Sequence, residues 1–296
     1  MHALASERSV LYLQLALNGF IQGLVIGLGA LAITLVFGIA RFANAGTGDF
    51  LTAGAYGALA AHKATGSFIL AGLGGVAVSA AVSLLAYVLV FRRLMGRSVM
   101  ALLLASIGVG FTIRAVHGLV FGHNQYVFQV PLARPYIVWG MRISPLDLIL
   151  MATAALALVL LFAILHLTSI GRQMRAVADN QDLARVSGIR VRRVMTTLWL
   201  LTGAISAVAG IILGIKTVVT PESGWDMLLP IFSAAILGGI GSPVGAIVAG
   251  VLLGIAQELS TPFVGFTYKI ALAFVVMLFV LLVRPRGLFG VVEGVR

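Results

Sequence analysis

The chain reads as an all-α, polytopic membrane protein with eight or nine transmembrane segments, some of them short or broken. Three observations carry that reading. Hydrophobic residues fill 60% of the 296 positions and charged residues only 10%, where a soluble domain carries about 25% charged residues. Mean hydropathy is +1.11. Several apolar stretches run to about 20 residues, enough to cross a bilayer core of roughly 30 Å.

The rest of the composition narrows the class. The 35 glycines suit helices whose backbones pack closely in a membrane. Cysteine is absent, which excludes a disulfide framework and a thiolate metal site. The net charge of +11 comes from arginine. In a membrane chain such an excess marks cytoplasmic ends and contact with anionic lipid rather than nucleic acid.

Apolar segments fall at 10–40, 43–61, 67–91, 99–121, 145–167, 194–216, 226–240, 243–260 and 267–283. The first is about twice the usual 7–15-residue core of a signal peptide, so it reads as a retained helix. The second, seventh and eighth are short or rich in glycine. Such segments line a substrate path where irregular backbone is tolerated, or they simply pack tightly. Both readings stand at this point.

Arginines set the expected orientation. With alternating crossings, the loops holding Arg41, Arg92, Arg93, Arg97, the 172–193 arginines, Arg284, Arg286 and Arg296 share one side. That side then carries 13 of the 20 Lys and Arg residues, so the positive-inside rule makes it cytoplasmic. Nine crossings place the N-terminus outside and the C-terminus inside; eight would move the N-terminus inside. The 122–144 stretch becomes an outward loop, with Tyr126, Tyr136 and Trp139 as interfacial aromatics.

One insert breaks the apolar pattern. "GRQMRAVADNQDLARVSGIRVRRV", residues 171–194, holds six arginines and two aspartates. A helix over about 172–187 puts Arg172, Arg175, Asp179 and Asp182 on one face. Arg175 with Asp179 is an i, i+4 pair, and Asp182 with Arg185 an i, i+3 pair. Met174, Val177, Ala178 and Ala184 lie opposite, and Gly188 is placed to end the helix. The insert is an interfacial helix on anionic headgroups or a docking helix for a soluble partner.

Catalytic patterns fail. A phosphate-cradling loop needs G-x-x-x-x-G-K-[ST]. The nearest stretch, "GIILGIKT" at 210–217, puts Ile215 between Gly214 and Lys216. No G-x-S-x-G elbow occurs. The five histidines form no i, i+4 metal pair. A stand-alone secondary transporter would bury ionisable groups to couple ions. Of nine acidic residues, Asp49 and Glu258 are the two placed deepest inside membrane segments, with Asp226 nearer an edge.

Isolated polar residues are the candidates for a path. Arg114 lies in the outer half of its span. Snorkelling or a structural ion pair is weighed ahead of attraction of a substrate carboxylate. His117, a turn further out, is expected at the interface. Asn44 and Asp49 flank a glycine-rich break. A helix starting after Gly48 would let Asp49 serve as a cap or face a path. Gly19, Gly23 and Gly27, and Ala246, Gly250 and Gly254, form small-residue ridges for helix packing.

Four stretches in order resemble one family. "ITLVFGIARFANAGTGDFLTAGAY", "GRQMRAVADNQDLARVSGI", "AAILGGIGSPVGAIVAGVLLGIAQE" and "LVRPRGLFG" are similar to the permease subunits of bacterial ABC importers for branched-chain amino acids. The LivH-type subunit is nearer than the longer LivM-type. Where the family often has "NFAHG" this chain has "NAGTG", so the histidine is missing. The resemblance implies a single transmembrane permease domain over 1–296 in a bacterial inner membrane. It implies a cytoplasmic coupling loop at about 168–193, in which Arg172, Arg175, Ala178, Asp179, Asp182, Ala184, Arg185 and Gly188 meet an ATPase. It makes Asn44, Asp49, Tyr56, Arg114, Gly239, Gly241 and Glu258 candidates for the translocation path. The implied partners are a LivM-type second permease, two ATP-binding-cassette ATPase subunits and a periplasmic substrate-binding protein. ATP and magnesium would bind in the ATPases, and this chain would hold no cofactor or metal. The substrate would be Leu, Ile or Val, or a related small molecule such as urea or an amide.

Overall fold

Eleven helices and one short hairpin make up the described part of the chain, in a computed structural model that describes residues 2–131, 133–138, 140–239, 241–265, 268–284 and 287–289. In chain order the helices are α1 (His2–Ala40), α2 (Thr47–Thr65), α3 (Phe68–Leu94), α4 (Val99–Phe121), α5 (Pro145–Leu167), α6 (Ser169–Asp179), α7 (Gln181–Val186), α8 (Val191–Lys216), α9 (Ser223–Gly238), α10 (Pro243–Val264) and α11 (Lys269–Val283). Six of them, α1, α3, α4, α5, α8 and α10, are long and apolar enough to cross a bilayer. The nine apolar segments of the sequence each fall on one helix; α9 and α11 are shorter than a full span.

Helix α1 is the axis of the bundle. It is buried from Gly23 to Val36 and packs chiefly along α10, with α8 and α9 on its other sides. Glycines make the α1–α10 contact possible. A Cβ on Gly23 would lie 2.6 Å from the Val251 Cα, and one on Gly254 would lie 2.3 Å from the Gly23 Cα. The Gly19–Gly23–Gly27 and Ala246–Gly250–Gly254 ridges therefore face each other within one chain. Backbones this close gain dispersion contacts that larger residues would block.

Helices α2, α3 and α8 form a second layer. The Ser79 hydroxyl donates to the carbonyls of Phe50 and Gly203, both at 2.8 Å, and so ties three helices at one point. Below it, Trp199 is fully buried among Phe42, Phe50, Tyr87 and Phe91. A π-turn at Tyr87–Phe91 lets both Tyr87 and Phe91 stack on that indole, at 5.8 and 4.5 Å. Local widening of this kind re-aims side chains without ending a helix.

The expected outward loop carries the hairpin, β1 (Tyr136–Val138) against antiparallel β2 (Met141–Ile143). Gln14 holds it to α1 by bonds to the Arg142 carbonyl and amide, at 3.2 and 3.0 Å. Tyr126 pairs with Val219 across the same end. Tyr136 is exposed there, whereas Trp139, Arg286 and Arg296 lie outside the described residues.

Substituting Gly23→Ala should destabilise the protein by about 1–3 kcal/mol, because the added methyl meets backbone rather than a movable side chain. Gly72→Ala, with nothing within 4 Å, should be neutral. Thermal melts of the two purified variants compare them directly, and an unchanged Gly23→Ala midpoint would contradict the contact.

Candidate functional site

Two polar regions stand out from the apolar bundle. The first lies where α2 begins. Asn44 is fully buried, and its Oδ1 accepts from the Gly46 amide at 3.1 Å, which turns the chain into the helix. The helix starts at Thr47, ahead of the expected position after Gly48, with Gly46 at the N-cap and no side-chain cap. Asp49 therefore does not cap. It sits in the first turn, where a carboxylate suits the helix dipole, and it turns sideways to α4.

A single stripe of α4 receives this turn. The Ser106 hydroxyl accepts from the Ala45 amide at 3.0 Å. Gly110, one turn on, has no side chain to obstruct Asp49; a Cβ there would lie 2.4 Å from Asp49 Oδ2. Arg114, a further turn on, donates from Nε and Nη2 to Asp49 Oδ1, both at 3.3 Å. The pair is nearly closed to solvent, Asp49 being 1% and Arg114 14% exposed at the side chain. Arg114 is not snorkelling outward; of the two structural roles weighed from the sequence, the ion pair is the one present.

Aromatic residues frame that pair. The Arg114 guanidinium lies 4.5 Å from the Trp225 ring centroid and 5.0 Å from that of Phe111. Trp225 belongs to α9, whose first turn presses on the start of α2. The Gly224 amide donates to the Thr52 hydroxyl at 2.9 Å, and a Cβ on Gly48 would lie 2.3 Å from the Gly224 carbonyl oxygen. Two helix N-termini thus meet inside the bundle beside one arginine. Neither has a side-chain cap.

The other path candidates lie apart. Tyr56 is buried one layer on, stacked on His117 at 4.9 Å and Phe121 at 4.5 Å. His117 is correspondingly buried: the α4 face that carries Ser106 and Gly110 carries it too. Glu258 accepts from the Lys269 ammonium at 2.7 Å and is not near Asp49. Gly239 and Gly241, both at positive φ, form the α9–α10 turn at the opposite end. There Gly241 borders a cavity of about 260 Å³ whose rim includes Thr34, His166 and Arg175. A further pair, Lys216 with Asp147 at 2.7 Å, joins α8 to α5 and was not singled out from the sequence.

The second region is the charged insert. It is two helices, not one: Asn180 leaves the helical region at φ −151° and ends α6. Its Oδ1 then caps α7 by accepting from the amides of Asp182 and Leu183, at 3.0 and 2.9 Å. Arg175 and Asp179 stay on one helix, i and i+4, but their expected pair does not form. Arg175 instead donates to the Leu165 carbonyl at the end of α5, and Arg41 donates to the Ala178 carbonyl. Gly171, Met174, Val177 and Ala184 are buried against the bundle. Gly188 closes α7 at φ +81°.

The exposed face carries Arg172, Arg175, Asp179, Asp182 and Arg185, with Asp182 and Arg185 bridged at 3.3 Å. Two apolar residues join them, Leu183 at 63% and Val186 at 82% exposed. Neither was singled out from the sequence. The signal was present, since Asn180 with Asp182 marks a new helix start, and restarting the helix there changes which residues face out.

The Asp49–Arg114 pair makes a double-substitution prediction. Arg114→Gln alone leaves a buried carboxylate uncompensated and should cost about 3–5 kcal/mol. Adding Asp49→Asn should recover most of that loss. Thermal midpoints of the single and double variants measure it, and additive losses would show that the two side chains do not act as a pair.

Comparison with known proteins gives the family. The family described as branched-chain amino acid transport system / permease component matches residues 15–281. The LivH permease protein of the high-affinity branched-chain amino acid transport system of Escherichia coli (strain K12) is 27% identical over 300 residues, covering 96% of this chain and 97% of that protein. The corresponding BraD protein of Pseudomonas aeruginosa is 29% identical over 297 residues, covering 94% and 96%. Among solved structures, PsaBC from Streptococcus pneumoniae in complex with Fab aligns with a TM-score of 0.52 at 17% identity, over 91% of each chain. A metal-chelate type ABC transporter in an inward-facing conformation also reaches 0.52, at 15% identity, over 95% of this chain and 90% of that one. At those identities the likeness is one of fold.

Proposed function

The chain belongs to the family of permease components of branched-chain amino acid transport systems, and we propose that it serves as the LivH-type subunit of such an importer. As a member it is a multi-pass membrane permease of the ABC type, not an enzyme. In the proposed assembly it forms the translocation path with a LivM-type second permease. A periplasmic binding protein delivers leucine, isoleucine or valine to one end, and two ATPase subunits bind at the other and hold the ATP and magnesium. The arginine-rich end, with α6 and α7, faces the cytoplasm of an inner membrane.

The observation that carries the coupling role is the seating of α6 and α7. Their inner face is buried on the bundle, and Arg175 and Arg41 tie α6 to α5 and α1. Motion of α6 is therefore passed to the spans. Their outer face offers an apolar pair, Leu183 and Val186, beside the Asp182–Arg185 bridge. An exposed apolar patch rimmed by charge suits a protein surface better than headgroups alone. Arg172, Arg175, Ala178, Asp179, Ala184 and Gly188 complete the element, Arg175 being exposed while its guanidinium also reaches the Leu165 carbonyl.

Ion coupling finds less support in the same geometry. The carboxylates Asp49, Asp147 and Glu258 each have a cationic partner across helices, and Asp226 is exposed on the first turn of α9. A proton- or sodium-coupled carrier would need such a group free to take up the ion.

Replacing Leu183 and Val186 together by aspartate tests the docking face. Membrane insertion should be normal, because both side chains are exposed. Recovery of the ATPase subunits with the permease should fall at least about tenfold, since charge misplaced at a docked interface costs several kcal/mol. Arg97→Glu, in another arginine-bearing loop, should retain them. Equal recovery of the ATPase in the two variants would overturn the assignment.

Orientation has its own check. Single cysteines at Val186 and Asn124, both exposed in this cysteine-free chain, should react with a membrane-impermeant maleimide from opposite sides. Labelling at Val186 from the periplasmic side would reverse the topology.

A further inference from the structure

The three interhelical ion pairs are not alike. Lys216–Asp147 and Lys269–Glu258 close at 2.7 Å, the length of a strong charge-assisted bond, about 2.7–2.9 Å. Arg114–Asp49 is the most buried at its acid and yet the longest, with contacts of 3.3, 3.3 and 3.5 Å. Its guanidinium is not fully used. Among the described residues the Nη1 group of Arg114 has no hydrogen-bond partner, and the flat face is held by Trp225 and Phe111 instead. Those two rings are themselves 38% and 54% exposed.

Such an arrangement is costly against lipid. A charged pair two-thirds of the way along α4, with an open aromatic rim, belongs on a side that meets protein or water. Its surroundings carry both signs, with Glu222 at the N-cap and Asp226 in the first turn of α9 beside Arg114, and two helix N-termini meeting there. The first turns of α2 and α9 both start here; the Gly46 and Gly224 amides are taken by Asn44 and Thr52, and each N-terminus still carries the partial positive charge of its helix. Half-helices whose N-termini converge on a substrate carboxylate are one way that transporters hold an anionic group at depth. Nearby, Asn44 Nδ2 is buried without a partner.

We propose that Asp49 and Arg114 form a zwitterion-operated gate on the translocation path. Closed, each neutralises the other. An arriving α-amino acid offers a carboxylate and an ammonium at about the spacing of the pair itself. The carboxylate takes the Arg114 fork, which prefers bidentate planar partners, and the ammonium takes Asp49. Charge is balanced before, during and after passage, so no bare charge is left in the membrane. Trp225 and Phe111 hold the guanidinium plane while its partner changes. The site would thus read the backbone common to leucine, isoleucine and valine and leave the side chain to be selected elsewhere. It would pass neutral amides or urea poorly, because neither supplies the two charges.

This inference rests on the amino-acid importer reading, and the test separates the two. The complete transporter, with its second permease, ATPases and binding protein, is reconstituted in vesicles, and ATP-driven leucine uptake is measured for the wild type and for Asp49→Asn with Arg114→Gln. A purely structural pair can be replaced by a neutral pair with uptake above half the wild-type rate. The gate cannot, and uptake should fall at least about tenfold, the loss expected when both charge-assisted bonds to the substrate are removed. If the wild-type complex takes up no leucine, the importer reading itself fails. Should the double variant not assemble, Phe111→Cys in an otherwise cysteine-free complex decides the matter. Leucine and ATP together should slow its modification by a charged thiol reagent, and an unchanged rate would overturn the gate.

Discussion

Burial of charge in a medium without water is the constraint on which this structure turns. An unpaired ion at membrane depth is costly, so charges inside a bundle must find partners across helices. Here Asp49, Asp147 and Glu258 do so with Arg114, Lys216 and Lys269. Each pair joins two helices distant in sequence or on either side of a turn: α2 to α4, α5 to α8, α10 to α11. The apolar core then fills the space between. The pairs supply register where dispersion alone would allow neighbouring packings.

Close approach is the second requirement, and glycine meets it. The α1–α10 ridge, the Ser79 junction of α2, α3 and α8, and the Gly48–Gly224 contact all depend on backbones meeting with no Cβ between them. The last contact matters for function, because it brings two helix N-termini to the side of Arg114. An added methyl on Gly110 would displace the Asp49 carboxylate from its position. Packing and site are therefore one arrangement: the residues that permit the helices to touch also place the charges.

Much of this was legible in the sequence. Hydropathy marked each helix that enters the bundle, because a segment surrounded by lipid or by other helices must be apolar throughout. The glycine spacings at 19, 23 and 27 and at 246, 250 and 254 announced a packed ridge, though not that each ridge would be the other's partner. The Arg114–Asp49 pair was out of reach for a different reason. The two residues are 65 positions apart, and no local pattern encodes which isolated charge meets which. Counting turns along α4 gave the height of His117 but not which side of the helix it faces, and that side is buried against Tyr56 and Phe121. In the 171–194 insert, helical periodicity was applied through Asn180, and the strong N-cap preference of asparagine was overlooked. That one break starts a new helix and leaves Leu183 and Val186 outside.

The most direct measurement is leucine uptake into proteoliposomes under controlled energy sources. The complete transporter should accumulate leucine when ATP is enclosed with its ATPase domains, and collapse of proton and sodium gradients should leave the rate unchanged. This chain alone should accumulate none under any gradient. Gradient-driven uptake by the chain alone, with no requirement for ATP, would contradict the account.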